Sequence, residues 1–138
     1  MTTGVTNELA ALAEAIGRLD HPTKVAAEHW AVEHLGGRDQ ISAAHDSDFF
    51  EAGWRALAER GVHGLMVAEE HGGQGADLAT SLLTLEGLGV GCVDNGLLFA
   101  LVSQMITSQV ALERSGTPEQ RERWLTPLTS GLAVSGGL

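Results

Sequence analysis

Several residues in this chain belong to types that do chemistry, and their spacing decides which chemistry is open to them. The adjacent carboxylates Glu69 and Glu70 could split their pKa values and serve as acid and base. Neighbours on one turn rarely aim at one target, however, so turn or cap residues are the simpler reading. Gly73-x-Gly75 has the opening of a dinucleotide fingerprint, but Leu78 stands where the third glycine belongs and no βαβ unit surrounds it. These glycines read instead as suppliers of positive φ in a closely packed turn. Six histidines raise the question of a metal, yet His29 and His34 are five apart, off a shared helix face, and no His-Glu-x-x-His occurs. No metal site is expected. Cys92 lacks a basic or histidine neighbour to stabilise a thiolate and reads as a small buried hydrophobe. One pattern remains. Phe99, Ser103 and Thr107 recur every four residues, with Ala100 beside them, as a mixed stripe on an otherwise apolar rod. Buried hydroxyls need partners, so the stripe faces either the carbonyls of another helix or a cavity.

The elements that position this stripe are written in the hydrophobic spacing. Val5, Leu9, Leu12, Ile16 and Leu19 share one face of a first helix. Pro22 opens a second, about 22–35, with Val25, His29 and Val32 on one face and Gly36-Gly37 as its stop. Asp48 and Glu51 make a capping-box-like pair for a third helix that turns Phe50, Trp54 and Leu57 inward and ends at Gly61. A long glycine-punctuated loop, Val62 to Gly75, follows. Asp77 then caps a fourth helix carrying Leu78, Leu82 and Leu85, which frays at Gly87, Gly89 and Gly91. Asp94 caps the fifth and longest helix. Thr117-Pro118-Glu119-Gln120 opens a sixth that buries Trp124, Leu125 and Leu128. From Gly131 the short apolar residues lose helical period and read as the start of a buried strand. The expected fold is all-α, about six helices in an orthogonal or up-down bundle, with the C-terminal residues leading into the first strand of a further β-domain.

A chain of 138 residues suits one domain with one core. Eight Lys and Arg against eighteen Asp and Glu leave a net charge of −10, and the basic residues are scattered. This excludes a nucleic-acid backbone binder and speaks against an anionic membrane surface as partner. The uncharged stretch 95–112 carries Asn95, Ser103, Gln104, Thr107, Ser108 and Gln109, too many polar groups for a lipid-facing span, and reads as a helix packed in protein. A single cysteine and no leader-like start give a cytoplasmic expectation.

Trp54-Arg55-Ala56-Leu57-Ala58-Glu59-Arg60-Gly61, then Gly64-Leu65-Met66-Val67-Ala68-Glu69-Glu70-His71-Gly72-Gly73-Gln74-Gly75, then Ser115-Gly116-Thr117-Pro118-Glu119-Gln120 with Trp124-Leu125 and Ser130-Gly131, stand in order and at specific spacing. In combination they resemble the N-terminal helical domain of acyl-CoA dehydrogenases. The resemblance implies a division into divergent N-terminal helices over 1–47, the helical core over 48–130 and the start of a β-domain strand over 131–138. It implies an enzyme in which this domain, a β-domain and a C-terminal helical domain together bind FAD and oxidise an acyl thioester at its α,β carbons. This chain corresponds to roughly the first third, inactive alone, with no catalytic residue in it: the catalytic glutamate belongs to the C-terminal part. By position Phe99, Ala100, Ser103 and Thr107 match residues lining the acyl tunnel, and Gly137 and Leu138 fall where the strand nears the flavin. The implied partners are an acyl-CoA or acyl-carrier-protein thioester, the remaining domains or a second chain, and further copies in a homo-oligomer. Ala68 in place of the usual proline, His71 in place of an aromatic residue, Pro127 one position late and a longer stretch before Phe49 depart from the family pattern. Such divergence suits an unusual acyl group, one tethered to a carrier protein, or a relative using flavin with oxygen as a monooxygenase or oxidase. A different class remains open beside it: a non-catalytic helical interaction subunit, motivated by the apolar residues from Leu132 to Leu138.

Overall fold

A computed structural model of the chain describes residues 20–37 and 47–135, with the isolated positions 7, 10, 11, 13 and 14. The apolar face expected for the first helix, Val5 to Leu19, lies outside the described residues. Helix α1 spans Pro22–Leu35, α2 Ser47–Glu59, α3 Leu78–Gly91, α4 Asn95–Ser103, α5 Val110–Ser115 and α6 Pro118–Thr129. Short 3-10 turns at Val62–Gly64 and Glu69–His71 separate α2 from α3, and a π-helical segment, Gln104–Gln109, joins α4 to α5 into one continuous rod. Among the described residues the fold is all helical.

The core is a leucine centre. Leu35, Leu57, Leu88, Leu97, Leu101, Met105 and Leu125 are fully buried, each contributing about 1.5–3 kcal/mol on removal from water. The rod supplies three of them along one face. Its opposite face is open, with Phe99 at 75% and Ile106 at 56% exposure. By length and composition Asn95–Ser115 also satisfies the criteria for a membrane span, and 28% of its apolar window is buried within the fold. The expected protein-packed helix is therefore packed on one side only.

The α1–α3 pair corrects the sequence reading. The inward face of α1 is Lys24, Ala27, Ala31 and Leu35, while Val32 points outward and His29 is exposed. The reason is across the interface. A β-carbon at Gly87 would collide with the Lys24 carbonyl, and one at Gly91 would lie 2.5 Å from the Glu28 carbonyl oxygen. Small residues on both helices let the backbones meet, so α3 runs unbroken through its glycines instead of fraying, and Leu78 and Leu82 are left outside. Lys24 is buried at this seam with its ammonium 2.6 Å from Glu86. Two further expectations shift. Asp48 lies in the first turn of α2, behind Ser47, and Trp124 is 45% exposed at the surface of α6.

Three caps stand where the sequence put them. The carboxylate of Asp77 accepts from the Thr80 N–H, which holds its pKa below the ordinary range. The carboxylate of Asp94 accepts from the amides of Gly96 and Leu97 at 2.8 and 3.1 Å. Thr117 and Gln120 form a reciprocal capping box. The expected strand from Gly131 does not form among the described residues. After a left-handed turn at Gly131 (φ 71°), residues 133–135 have no second strand to ladder with.

Candidate substrate groove

The rod, α6 and the segment after α6 border an open groove of about 590 Å³. Thr107, Ser108, Ala111 and Leu112 form one wall, Trp124 and Leu128 contribute from α6, and Ala133, Val134 and Ser135 form the other wall. It is mostly apolar with a few hydroxyls, the composition of a small-molecule site that takes a largely hydrophobic ligand. The Thr107 hydroxyl donates to the Ser103 carbonyl at 2.7 Å, so its proton is held within the rod and its lone pairs are left for an incoming donor.

Of the four stripe residues, Thr107 lines this groove. Ser103 and Ala100 are half-buried on the rod and Phe99 stands on its open face. Gly137 and Leu138 lie outside the described residues. Glu69 and Glu70 are both exposed at the 3-10 turn, and Glu70 is 3.6 Å from the His71 imidazole; Glu70 and His71 bound a surface cleft with Arg121 and Glu122, apart from the groove. No cluster of metal-ligating side chains occurs among the described residues. Cys92 is buried, and desolvation pushes its thiol pKa up, the direction that keeps a cysteine unreactive.

The glycine turn has a structural task. The amides of residues 72–76 all donate to carbonyls of the preceding loop, those of Glu69, Ala68, Gly64, Val67 and Leu65 in turn. Gly72 and Gly75 take φ of 84° and 59°, and a β-carbon at Gly73 would collide with the Val67 carbonyl. With every one of these N–H groups spent, and the α6 N-terminus closed by its own capping box, neither element is a cradle for a pyrophosphate.

Sequence reasoning missed the polar cluster under the groove. His63 and Gln104 are both fully buried. His63 lies edge-on to Trp54 with ring centroids 4.2 Å apart and donates from Nε2 to the Trp54 carbonyl at 3.1 Å. Its Nδ1 then accepts from Gln104 Nε2 at 3.5 Å, which fixes the neutral tautomer. Burial holds its pKa below the usual histidine value. Gln104 also donates to the Leu128 carbonyl at 3.2 Å and accepts from the Ser135 amide at 3.0 Å. The available signal was helical spacing: Gln104 stands seven residues after Leu97 and three after Leu101, on the face that buries both.

With this geometry in place, comparison with known proteins identifies the domain. The family model for the acyl-CoA dehydrogenase N-terminal domain matches residues 26–132, and the chain belongs to this family. The L-prolyl peptidyl-carrier protein dehydrogenase of Pseudomonas fluorescens is 30% identical over 96 residues, covering 67% of this chain and 25% of that protein. The short-chain specific acyl-CoA dehydrogenase of Sus scrofa mitochondria is 29% identical over 93 residues, covering 66% of this chain and 22% of the relative. The crystal structure of the prolyl acyl carrier protein oxidase AnaB superposes with a TM-score of 0.68 at 30% identity, over 83% of this chain and 31% of that one. The chain thus spans about a quarter of the length of the curated relatives it matches.

Proposed function

We propose that this chain is the substrate-side domain of a flavoenzyme that oxidises an acyl thioester at its α,β carbons, and that its acyl group arrives on a carrier protein. The observation that carries the reading is the apolar groove along the rod, 590 Å³ in volume, within a domain of this family. Its size suits an acyl chain, and hydroxyls stand on both walls, Thr107 and Ser108 on the rod and Ser135 opposite. Carrier-protein substrates are named for relatives of both sequence and structure, and CoA thioesters for others. The stripe residues Phe99, Ala100 and Ser103 extend the surface offered to the substrate beyond Thr107. Gly137 and Leu138 are proposed to approach the flavin.

FAD is the implied cofactor of the complete enzyme, held by parts beyond the residues described. The catalytic base is likewise assigned to the remaining domains or to a second chain, in a cytoplasmic homo-oligomer. The domain division 1–47, 48–130 and 131–138 belongs to the same proposal. A second reading, a helical interaction subunit without catalysis, draws on Leu132 at 87% and Val134 at 68% exposure, a surface that monomers seldom leave open.

The test has two arms. Carrier protein loaded with prolyl, butyryl or octanoyl groups is titrated into the chain with Trp30 and Trp54 replaced by Phe, and followed by the fluorescence of Trp124 in the groove. Binding that needs the acyl group and is lost in Ala111→Trp supports the groove; no response to any thioester refutes it. The chain is also incubated with FAD and desalted. A colourless protein is expected, and retained flavin absorbance would overturn the assignment of the cofactor site to other parts.

A further inference from the structure

The two walls of the groove differ in how they are held. Thr107, Ser108 and Ala111 belong to the rod, whose helical hydrogen bonds fix them. The opposite wall, Ala133 to Ser135, has no regular structure and rests on individual attachments. The Gly131 carbonyl accepts from the Trp54 indole at 3.1 Å, the Ala133 amide donates to the Pro127 carbonyl at 3.1 Å, and the Ser135 amide donates to Gln104 Oε1 at 3.0 Å. The first two anchor the end nearest α6. The third ties the far end of this wall to the rod itself, so one side chain spans from one wall to the other.

The Gln104 amide has no freedom to turn. Its Nε2 faces two acceptors, the Leu128 carbonyl and His63 Nδ1, and His63 is held in turn by the Trp54 carbonyl. Flipping the amide would set its oxygen against the Leu128 carbonyl and its NH2 against the Ser135 N–H. Oε1 is therefore presented to Ser135 in a fixed place, from a fully buried side chain at the first position of the π-segment. Such segments are frequent where a helix serves a site.

We propose that Gln104 is a positioning residue: it sets the separation of the two groove walls and thereby which acyl chain lengths the groove admits. The second half of this statement rests on the groove being the acyl site. A network that served stability alone would need Gln104 for folding and would be indifferent to the Ser135 end.

Two variants of the full chain separate these roles. Gln104→Met keeps the volume and removes the amide. Ser135→Pro removes the donor at the half-buried end of the groove wall and leaves the Gln104 side chain intact. Amide exchange is measured by NMR at Ser135 in Gln104→Met and at Ala133 in Ser135→Pro, and S-butyryl- and S-dodecanoyl-N-acetylcysteamine are titrated against Trp124 fluorescence. Each variant is expected to speed exchange about fivefold, the factor a single hydrogen bond supports. Each should move the ratio of the two affinities toward one by a similar factor, and the double variant should go no further than either alone. Unchanged exchange in both variants overturns the proposal. So does a wild-type affinity ratio in Ser135→Pro beside a lowered stability in Gln104→Met, which is the pattern of a purely structural network. If the wild-type chain binds neither thioester, the acyl reading of the groove falls, and the exchange rates alone decide whether Gln104 holds the wall.

Discussion

Gly87, Gly89 and Gly91 lie within one helix but in two different environments, so the same substitution must give opposite signs. Replacing glycine by alanine in a helix interior gains about 1 kcal/mol from propensity and the lost freedom of the unfolded chain. At Gly89 a β-carbon meets nothing within 4 Å, so this gain is the whole effect and Gly89→Ala should be stabilising by about 0.5–1 kcal/mol. At Gly87 the same methyl meets the Lys24 carbonyl and lies 2.8 Å from the Ala27 β-carbon; at Gly91 it lies 2.8 Å from the Ala31 β-carbon. The opposing atoms belong to the α1 backbone and cannot swing aside. The helices must part, at an overpacking cost of about 1–3 kcal/mol and with loss of dispersion contacts along the seam. Subtracting the propensity gain leaves Gly87→Ala and Gly91→Ala destabilised by up to about 2 kcal/mol. Urea unfolding followed by far-UV circular dichroism reads the difference. With a slope of about 1–2 kcal/mol per molar urea, the midpoints of Gly89→Ala and Gly87→Ala should stand about 1 M or more apart, on either side of wild type. Stabilisation by all three substitutions would mean that the glycines fray the helix and that the close α1–α3 seam is wrong.

Other consequences are checked as directly. Because burial holds the His63 pKa in the folded state below its ordinary value of 6.5, the unfolded chain takes up this proton first as pH falls. Its contribution to stability is complete above that value and is lost as pH drops toward the folded value, with a slope of up to about 1.4 kcal/mol per pH unit; urea midpoints across this range should show the slope, and His63→Gln should remove it. Glu86→Ala, which strands the Lys24 ammonium with its side chain only 8% exposed, should cost about 1–3 kcal/mol in the same assay. Lys24→Met should cost less, since the carboxylate left behind is 40% exposed, and the reverse order would refute the asymmetry. Cys92 should react with a disulfide reagent at the global unfolding rate, and rapid labelling of the native chain would contradict its burial.

The parts of the fold legible in the sequence were those fixed by local chemistry. A side chain that caps its own helix needs no distant partner, which is why Asp77, Asp94 and Thr117 with Gln120 stand where spacing put them. The turn at Gly72 to Gly75 was legible for the same reason, since positive φ is a property of the residue itself. Faces were harder. On α1 the sequence offers Val25 and Val32 as the apolar side, yet the helix buries Ala27 and Ala31, because what decides is how closely α3 approaches and that distance is set by glycines sixty residues away. Hydrophobicity ranks valine above alanine; the geometry of the seam ranks size above hydrophobicity.

The candidate site divides along the same line. A stripe at every fourth residue assumes an unbroken α-helix, and it led to a rod with one polar-flecked side, of which Thr107 reaches the groove. The π-segment changes the angle between successive residues from Gln104 onward, so the inward and outward faces of the rod are not continuous across it. Gln104 falls on the apolar face by ordinary helical spacing from Leu97 and Leu101, while Gln109 lies off that face in an unbroken count; both are buried, at 0% and 2% exposure. A buried amide must find partners, and those of Gln104 are tertiary: a histidine ring, a carbonyl of α6 and the amide of Ser135. Family resemblance could point to the helix that bears the site. Which of its side chains line the groove and which tie down the segment beyond α6 depends on tertiary contacts that the spacing of apolar residues does not record, and the paired Gln104 and Ser135 variants ask whether Gln104 holds that segment in place.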